Sequence, residues 1–228
     1  MAPANRFRIA PGRLFIISAP SGAGKSTLCA ILRQRIPQLA YSISHTTRAK
    51  RVGERDGVDY FFIDVADFRE GIAAGRWAEW AEVHGNYYGT AAAFIEDCLA
   101  KGDDLLLDID VQGMLQLRQR YPAAVTIFIM PPSLDALRRR LEKRATDSPE
   151  AIVQRLANAR EEVAQQSLYR HVVVNDELGR AADELTALVE NYRREDAAGS
   201  SPAANAKEHH DQGEHRDSLR PSSGDRSS

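Results

Sequence analysis

The chain has 228 residues, enough for one domain of ordinary size plus an appendage. Hydrophobic residues make up 43% and charged residues 27%, a soluble globular composition, and no apolar run approaches the length of a membrane span. The formal net charge of −2 excludes a global polyanion-binding surface, so attraction for phosphate has to come from local arginines, and neither a nucleic-acid nor a membrane partner is expected.

The N-terminal extension, residues 1–11, has two arginines but no apolar core, so it does not read as a secretory signal. The first strand is predicted at about 13–18, followed by a glycine-rich turn and a helix to about Arg35, which Pro37 ends. Residues 41–44 alternate polar and apolar, as a half-buried strand does. The polar, basic stretch 45–54 reads as a loop. Residues 59–63 form another predicted strand, and about 64–75 a short helix capped by Asp64. Alternation returns at 76–83 with Trp77 and Trp80. Residues 86–90 read as a tight aromatic turn, and 91–101 as a helix closing on Gly102.

From Asp104 strands and helices alternate. The continuous apolar runs 105–107, 125–129 and 172–174 suit strands buried on both faces of a parallel sheet. Helices are predicted at about Leu134–Arg144, at 149–168 with Ser148 as cap and Pro149 first, and at 177–194. The expected fold is α/β: a mostly parallel core (12–40 and 97–196), an antiparallel insertion at about 41–96, and a helical lid at about 134–160. Cys29 and Cys98 fall on predicted helices and read as packing residues in a reducing cytoplasm. Residues 197–228 contain one large apolar residue, Leu219, and are expected to be a disordered tail. His209, His210 and His215 lie there without the spacing of a metal site.

Four clusters carry chemistry. Ala19, Pro20, Ser21, Gly22, Ala23, Gly24, Lys25, Ser26 and Thr27 stand between the first strand and the first helix, the context of a phosphate-binding loop. Gly22 and Gly24 let successive N–H groups face one concavity, which the helix N-terminus makes more positive. Lys25 would reach outer phosphates and Ser26 would offer a hydroxyl to magnesium. Ala19 stands where this loop usually has its first glycine, so that position takes an ordinary backbone conformation. The second cluster is Asp108 and Asp110, delivered at the C-terminal end of an apolar strand, where ligands sit in parallel sheets. Asp108 suits magnesium; the rival reading for either acid alone is a polar strand end that caps the next helix. The third is Arg48, Arg51, Tyr60, Tyr88 and Thr90, a set able to bind a phosphate with charge-assisted bonds. The fourth is Arg138, Arg139, Arg140, Lys143, Arg144 and Arg155, which spacing alone reads either as a nucleic-acid surface or as a lid.

These motifs together resemble the guanylate kinases over residues 12–196. The loop from Ser18 to Thr27 is similar to that family's bacterial phosphate loop. Ser44-His45-Thr46-Thr47-Arg48, Arg51, Gly53-Glu54 and Asp59-Tyr60 match its GMP signature, and Glu79, the 85–90 segment and 108–113 follow in the family's order. The resemblance implies a P-loop nucleoside monophosphate kinase fold and the reaction ATP + GMP giving ADP + GDP with magnesium. It implies that Arg48, Arg51, Tyr60 and Tyr88 hold the GMP phosphate, and that Ser44, Glu79, Thr90 and Asp110 surround guanine. Ala19 to Thr27 and Asn175 would bind ATP, and Ser26 and Asp108 the metal. Lys25, Arg48, Asp108 and the lid arginines Arg140, Arg144 and Arg155 would serve the transfer. Ala145 departs from a common lid glycine.

The chemistry agrees with that implication. Guanine offers N1–H and N2–H donors to a carboxylate such as Glu79, and its O6 can accept from a hydroxyl such as Thr90. The attacking group is already a phosphate oxygen, so no general base is required. The rivals are an inactive guanylate-kinase-like scaffold that binds phosphopeptides, which needs neither Lys25 nor the lid arginines, and a kinase of another phosphorylated acceptor, which needs no guanine set. A chain cut after Asp196 should keep its turnover, since the tail cannot pack; a large loss in kcat would contradict this.

Overall fold

The computed structural model describes residues 11–83, 85–144 and 148–199; the first ten residues, Ala145, and the tail from residue 200 on with its three histidines lie outside that range. The chain opens with β1 (Leu14–Ser18), every residue buried, and α1 (Lys25–Arg35). Then come β2 (Ala40–Tyr41), β3 (His45–Thr46), β4 (Phe61–Phe62), α2 (Val65–Ala73) and the hairpin β5 (Trp77–Val83) and β6 (Asn86–Ala91). The second half is α3 (Ala92–Lys101), β7 (Leu105–Asp108), α4 (Val111–Arg120), β8 (Val125–Met130), α5 (Leu134–Arg144), α6 (Pro149–Ala164), β9 (His171–Val174) and α7 (Leu178–Gly199).

The main sheet runs β2-β7-β1-β8-β9, with every pairing parallel. Parallel strands need crossover helices on both faces, so strands such as Leu-Phe-Ile-Ile are apolar throughout. Successive side chains take opposite faces. Phe15 and Ile17 pack with Leu28 and Leu32 of α1 and with Leu185 and Val189 of α7. Leu14 and Ile16 pack on the other face with Ile95 of α3 and Met114 and Leu117 of α4. A small separate core, Leu137, Leu141, Ile152 and Ala159, joins α5 to α6.

The second sheet, β4-β3-β6-β5, is formed from the middle of the chain. It is antiparallel except for the β3–β4 pair. Here the structure corrects several expectations. Of the single strand expected at 41–44 only Tyr41 lies in a strand, and β3, at His45–Thr46, falls at the start of the expected loop. Tyr41 pairs with Leu106 in the main sheet, and His45 pairs with Gly89 and Phe61 in the second. Short alternation cannot reveal a change of sheet, because both halves keep the same period. The expected aromatic turn at 86–90 is β6, and the bend lies at Gly85, whose φ is 75°. Tyr87 and Tyr88 are neighbours on a strand and so take opposite faces. Helix α4 follows β7 directly, with the Asp110 side chain accepting from Gly113 N–H at its start. Helix α7 runs to Gly199, past the expected boundary of the tail.

Asp64 caps α2 as its position before the helix predicts, its Oδ1 accepting from Asp67 N–H at 2.7 Å. Asp64→Ala should lower stability by about 1 kcal/mol and the melting temperature by roughly 3 °C, measured by thermal unfolding.

Candidate functional site

The phosphate loop leaves β1 at the C-terminal edge of the main sheet, and Ala23 N–H closes it on Pro20 O at 3.0 Å. Gly22 and Gly24 have φ of 91° and 99°, a region closed in practice to residues with a side chain, and Gly24 begins α1. Lys25 Nζ donates to Ile109 O at 3.2 Å and lies 3.9 Å from Asp108 Oδ1. The loop lysine and the acid at the end of β7 are therefore side by side, as their positions after neighbouring parallel strands require.

Two cavities flank this loop. The larger, about 710 Å³, opens towards the second sheet. Lys25, Ser26, Asp108 and Asp110 line it from the core, and Ser44, Tyr60, Glu79 and Tyr88 from the insertion. The smaller, about 550 Å³, lies on the other side and is lined by Gly22, Gly24, Thr27, Arg140, Asn175 and Asp176. The sequence-predicted residues that line these cavities thus converge on one loop from two directions, while Arg48, Arg51, Thr90 and Arg155 line neither.

Glu79 is the most unusual group in the larger cavity. It lies on edge strand β5 just after a register irregularity, and it is only 6% exposed. Thr90, facing it across the β5–β6 pair, donates its hydroxyl to Glu79 Oε1 at 2.6 Å. That proton is committed to Glu79 rather than available to a base oxygen, which differs from the donation to O6 expected of Thr90. Burial, aided by the nearby charge of Asp110, pushes the Glu79 carboxyl up to about 7, against the lowering effect of Thr90.

Arg48 is tied to Glu54, its Nη2 donating to Oε1 at 2.7 Å, and its guanidinium carbon lies 5.4 Å from the Tyr60 ring centroid. Glu54 lines the cavity and also accepts from Arg51 N–H at 2.8 Å. Sequence reasoning did not give Glu54 a role, although the Gly-Glu step after Arg51 was its signal. Tyr60 and Tyr88 meet edge to face at 6.0 Å. The side chain of Arg51 is exposed and does not line either cavity. Asp110 serves as the cap of α4 through Oδ1 and still lines the cavity. Tyr41, also missed, lines the cavity beside Asp108, and burial together with that acid raises its hydroxyl pKa.

The arginines expected of a lid divide. Arg155 Nη1 donates to Ser21 Oγ at 2.8 Å, so α6 touches the phosphate loop. Arg140 Nη2 donates to Asn175 O at 2.7 Å, and Nη1 to Ala23 O at 3.4 Å, on the smaller-cavity side. Arg144 occupies the last turn of α5, and its side chain is outside the described residues. Asn175 is 4% exposed, and its amide donates to Ala23 O at 2.7 Å. Its side chain is thus engaged with the loop itself, where a contact with the donor nucleotide was expected.

The raised pKa of Glu79 carries a stability consequence. The fold binds this proton more tightly than the unfolded chain does, so its contribution is present below pH 4.5 and is lost as pH rises to about 7. The loss is on the order of 3 kcal/mol. Glu79→Gln abolishes it, so the variant should gain stability relative to the parent across that window. Denaturant unfolding at pH 4.5 and pH 7.5 measures this; equal differences at both would contradict a buried, proton-binding Glu79.

A profile of the family described as guanylate kinase matches residues 11–192. Guanylate kinase of Symbiobacterium thermophilum is 48% identical over 178 residues, covering 78% of this chain and 84% of that protein. That of Aromatoleum aromaticum is 49% identical over 183 residues, covering 80% of this chain and 90% of that protein. The crystal structure of guanylate kinase from Anaplasma phagocytophilum superposes with a TM-score of 0.65 at 33% identity, over 82% of this chain and 88% of that one. Match across nearly the whole described fold, together with the two cavities about one phosphate loop, means that this chain belongs to the guanylate kinase family.

Proposed function

We propose that the larger cavity holds GMP, that the smaller holds the base end of ATP, and that the loop between them is where the phosphoryl group passes. The activity is that of the family: transfer of the γ-phosphoryl group of ATP to GMP, giving ADP and GDP. The observation that carries the residue assignment is the buried Glu79–Thr90 pair in the same cavity as Lys25 and Asp108. A carboxylate held there accepts from guanine N1–H and N2–H. Adenine has an acceptor at N1 and no N2 amine, so it leaves that acid unpaired at a large penalty. Because guanine needs the ionised form, GMP itself favours loss of the Glu79 proton. Ser44 and Asp110 complete the surround of the base.

Arg48, fixed by Glu54 against Tyr60, faces the GMP phosphate with Tyr60 and Tyr88, and Arg51 joins it by turning inward from its exposed position. Lys25 and the loop N–H groups neutralise the ATP phosphates. Arg155 at Ser21, with Arg140 and Arg144 on α5, brings positive charge to the loop from the lid, about 134–160. The attacking GMP oxygen needs no base, so these residues act by position and charge. The lid over the loop and the insertion, about 41–96, over the core would exclude water from the transfer.

Ser26 and Asp108 fit magnesium. Both are hard oxygen donors lining the cavity beside Lys25, and among the described residues no cluster of three or more His, Cys, Asp or Glu competes for it. Magnesium keeps most of its ligands as water and phosphate oxygen, so one hydroxyl and one carboxylate suffice. Bound there, the ion would supply charge neutralisation at the phosphates. A cytoplasmic setting is supported by the two buried free thiols, Cys29 and Cys98, and no described helix is long and apolar enough to cross a membrane.

The test offers ATP, magnesium and either GMP, AMP, CMP or UMP, and measures ADP formation. Turnover with GMP alone is expected, and Lys25→Ala should reduce it by at least about a hundredfold. Retained GMP binding without turnover on any acceptor would turn the assignment towards a phosphate-binding scaffold.

A further inference from the structure

Strand β5 is the outer strand of the second sheet. The outward N–H and C=O groups of an edge strand have no strand partner. At Trp80 both are nevertheless satisfied, and by one side chain of the core: Trp80 N–H donates to Gln116 Oε1 at 3.1 Å, and Gln116 Nε2 donates to Trp80 O at 2.9 Å. A side-chain amide presents a carbonyl oxygen and an N–H side by side in a single plane, so Gln116 imitates the peptide group of a neighbouring strand.

Gly113 lies three residues earlier on α4, on the same helical face. A Cβ on Gly113 would stand 2.7 Å from Glu79 Oε2 and 3.2 Å from its carboxyl carbon. The carboxyl of Glu79 therefore lies directly on the helix surface at Gly113, while its other oxygen is held by Thr90. Glu79 and Trp80 are consecutive residues, with Cα atoms about 3.8 Å apart. A displacement of Trp80 is carried into Glu79 almost undiminished.

We propose that Gln116 is a positioning residue for recognition of the acceptor base: its amide docks edge strand β5 onto α4, and the bare backbone of Gly113 receives the Glu79 carboxyl at the other end of that dock. The inference rests on the reading of Glu79 as the base-recognising acid. It adds that the acid is aimed from the core. Helix α4 is capped by Asp110, another acid of the cavity, so one helix sets the position of both. The insertion supplies Glu79, but the core decides where its oxygens stand.

Gln116→Ala and Gln116→Met test this. The second keeps side-chain length and loses both hydrogen bonds. Each should raise KM for GMP about tenfold, leave KM for ATP within about twofold, and narrow the preference for GMP over AMP. Gly113→Ala, which moves the same carboxyl from the helix side without touching Trp80, should reproduce the split between the two substrates. Unchanged KM for GMP in the Gln116 variants would overturn the proposal. So would a fall in kcat that follows melting temperature with both KM values rising together, because that is a general loss of structure. Glu79→Gln is run in parallel. If it weakens GMP and the Gln116 variants do not, the positioning role fails alone. If Glu79→Gln itself leaves GMP kinetics unchanged, the base-recognising role of Glu79 fails first.

Discussion

A phosphate-binding turn works only while its peptide N–H groups stay aimed at one point, and in this protein the aim is held from behind. The Asn175 amide, at the end of β9, donates to Ala23 O, and Arg140 of α5 bonds both Ala23 O and Asn175 O. With its carbonyl held on that side, the Ala23 peptide cannot rotate freely. Glycine is required at the next position for two reasons. Its φ of 99° is one, and the Asn175 amide nitrogen, 2.4 Å from where a Cβ would stand, is the other. Gly22 is pressed in the same way by Leu137 and Leu141 of α5. The turn is thus a joint between β1, β9 and α5, and any movement of α5 reaches the phosphate site directly.

The acceptor side depends on a different constraint, the burial of an acid. Removing Glu79 from water raises its pKa, and the fold tolerates this with one short bond from Thr90. Such an acid is poor at rest and good with the right ligand. On the proposed reading, guanine would bring two donors that restore what water supplied, whereas a base without them would leave the cost in place. Discrimination of this kind needs the carboxylate to be fixed, since a mobile acid would turn to find other donors. Neighbouring contacts from β6 and α4 provide that fixity.

Much of this was legible in the sequence, for reasons that differ by element. The strand at Leu105–Asp108 showed itself because a strand covered on both faces is apolar throughout and ends abruptly in acids. The loop from Ala19 to Thr27 showed itself because spacing, glycines and flanking elements are all local. The crossing from β2 to β3 did not, since its cause is pairing with Gly89 and Phe61, far along the chain. The orientation of Arg140 was also hidden. Helical spacing puts Arg140 and Arg144 on one face but does not say that this face meets Asn175. Gln116 is the extreme case: a half-buried polar residue on a helix reads as solvated until an edge strand is laid beside it.

The two cavities also bear on the direction of the proposed chemistry. They are lined from the two sides of the phosphate loop, with Lys25, Ser26 and Asp108 on one side and Gly22, Gly24 and Thr27 on the other. A nucleotide base lodged in each cavity would point its phosphates towards the same short turn, which suits in-line transfer between two phosphates. Charge then decides how the approach is possible at all. Two polyanions repel, and the chain as a whole is slightly acidic, so the needed cations must be local. Lys25 is built into the turn, Arg48 is braced by Glu54, and Arg155 comes from α6, which packs on α5 through its own small core. Because α5 leaves no room for a Cβ at Gly22 and bonds Asn175 O, a shift of α5 would reach the phosphate loop.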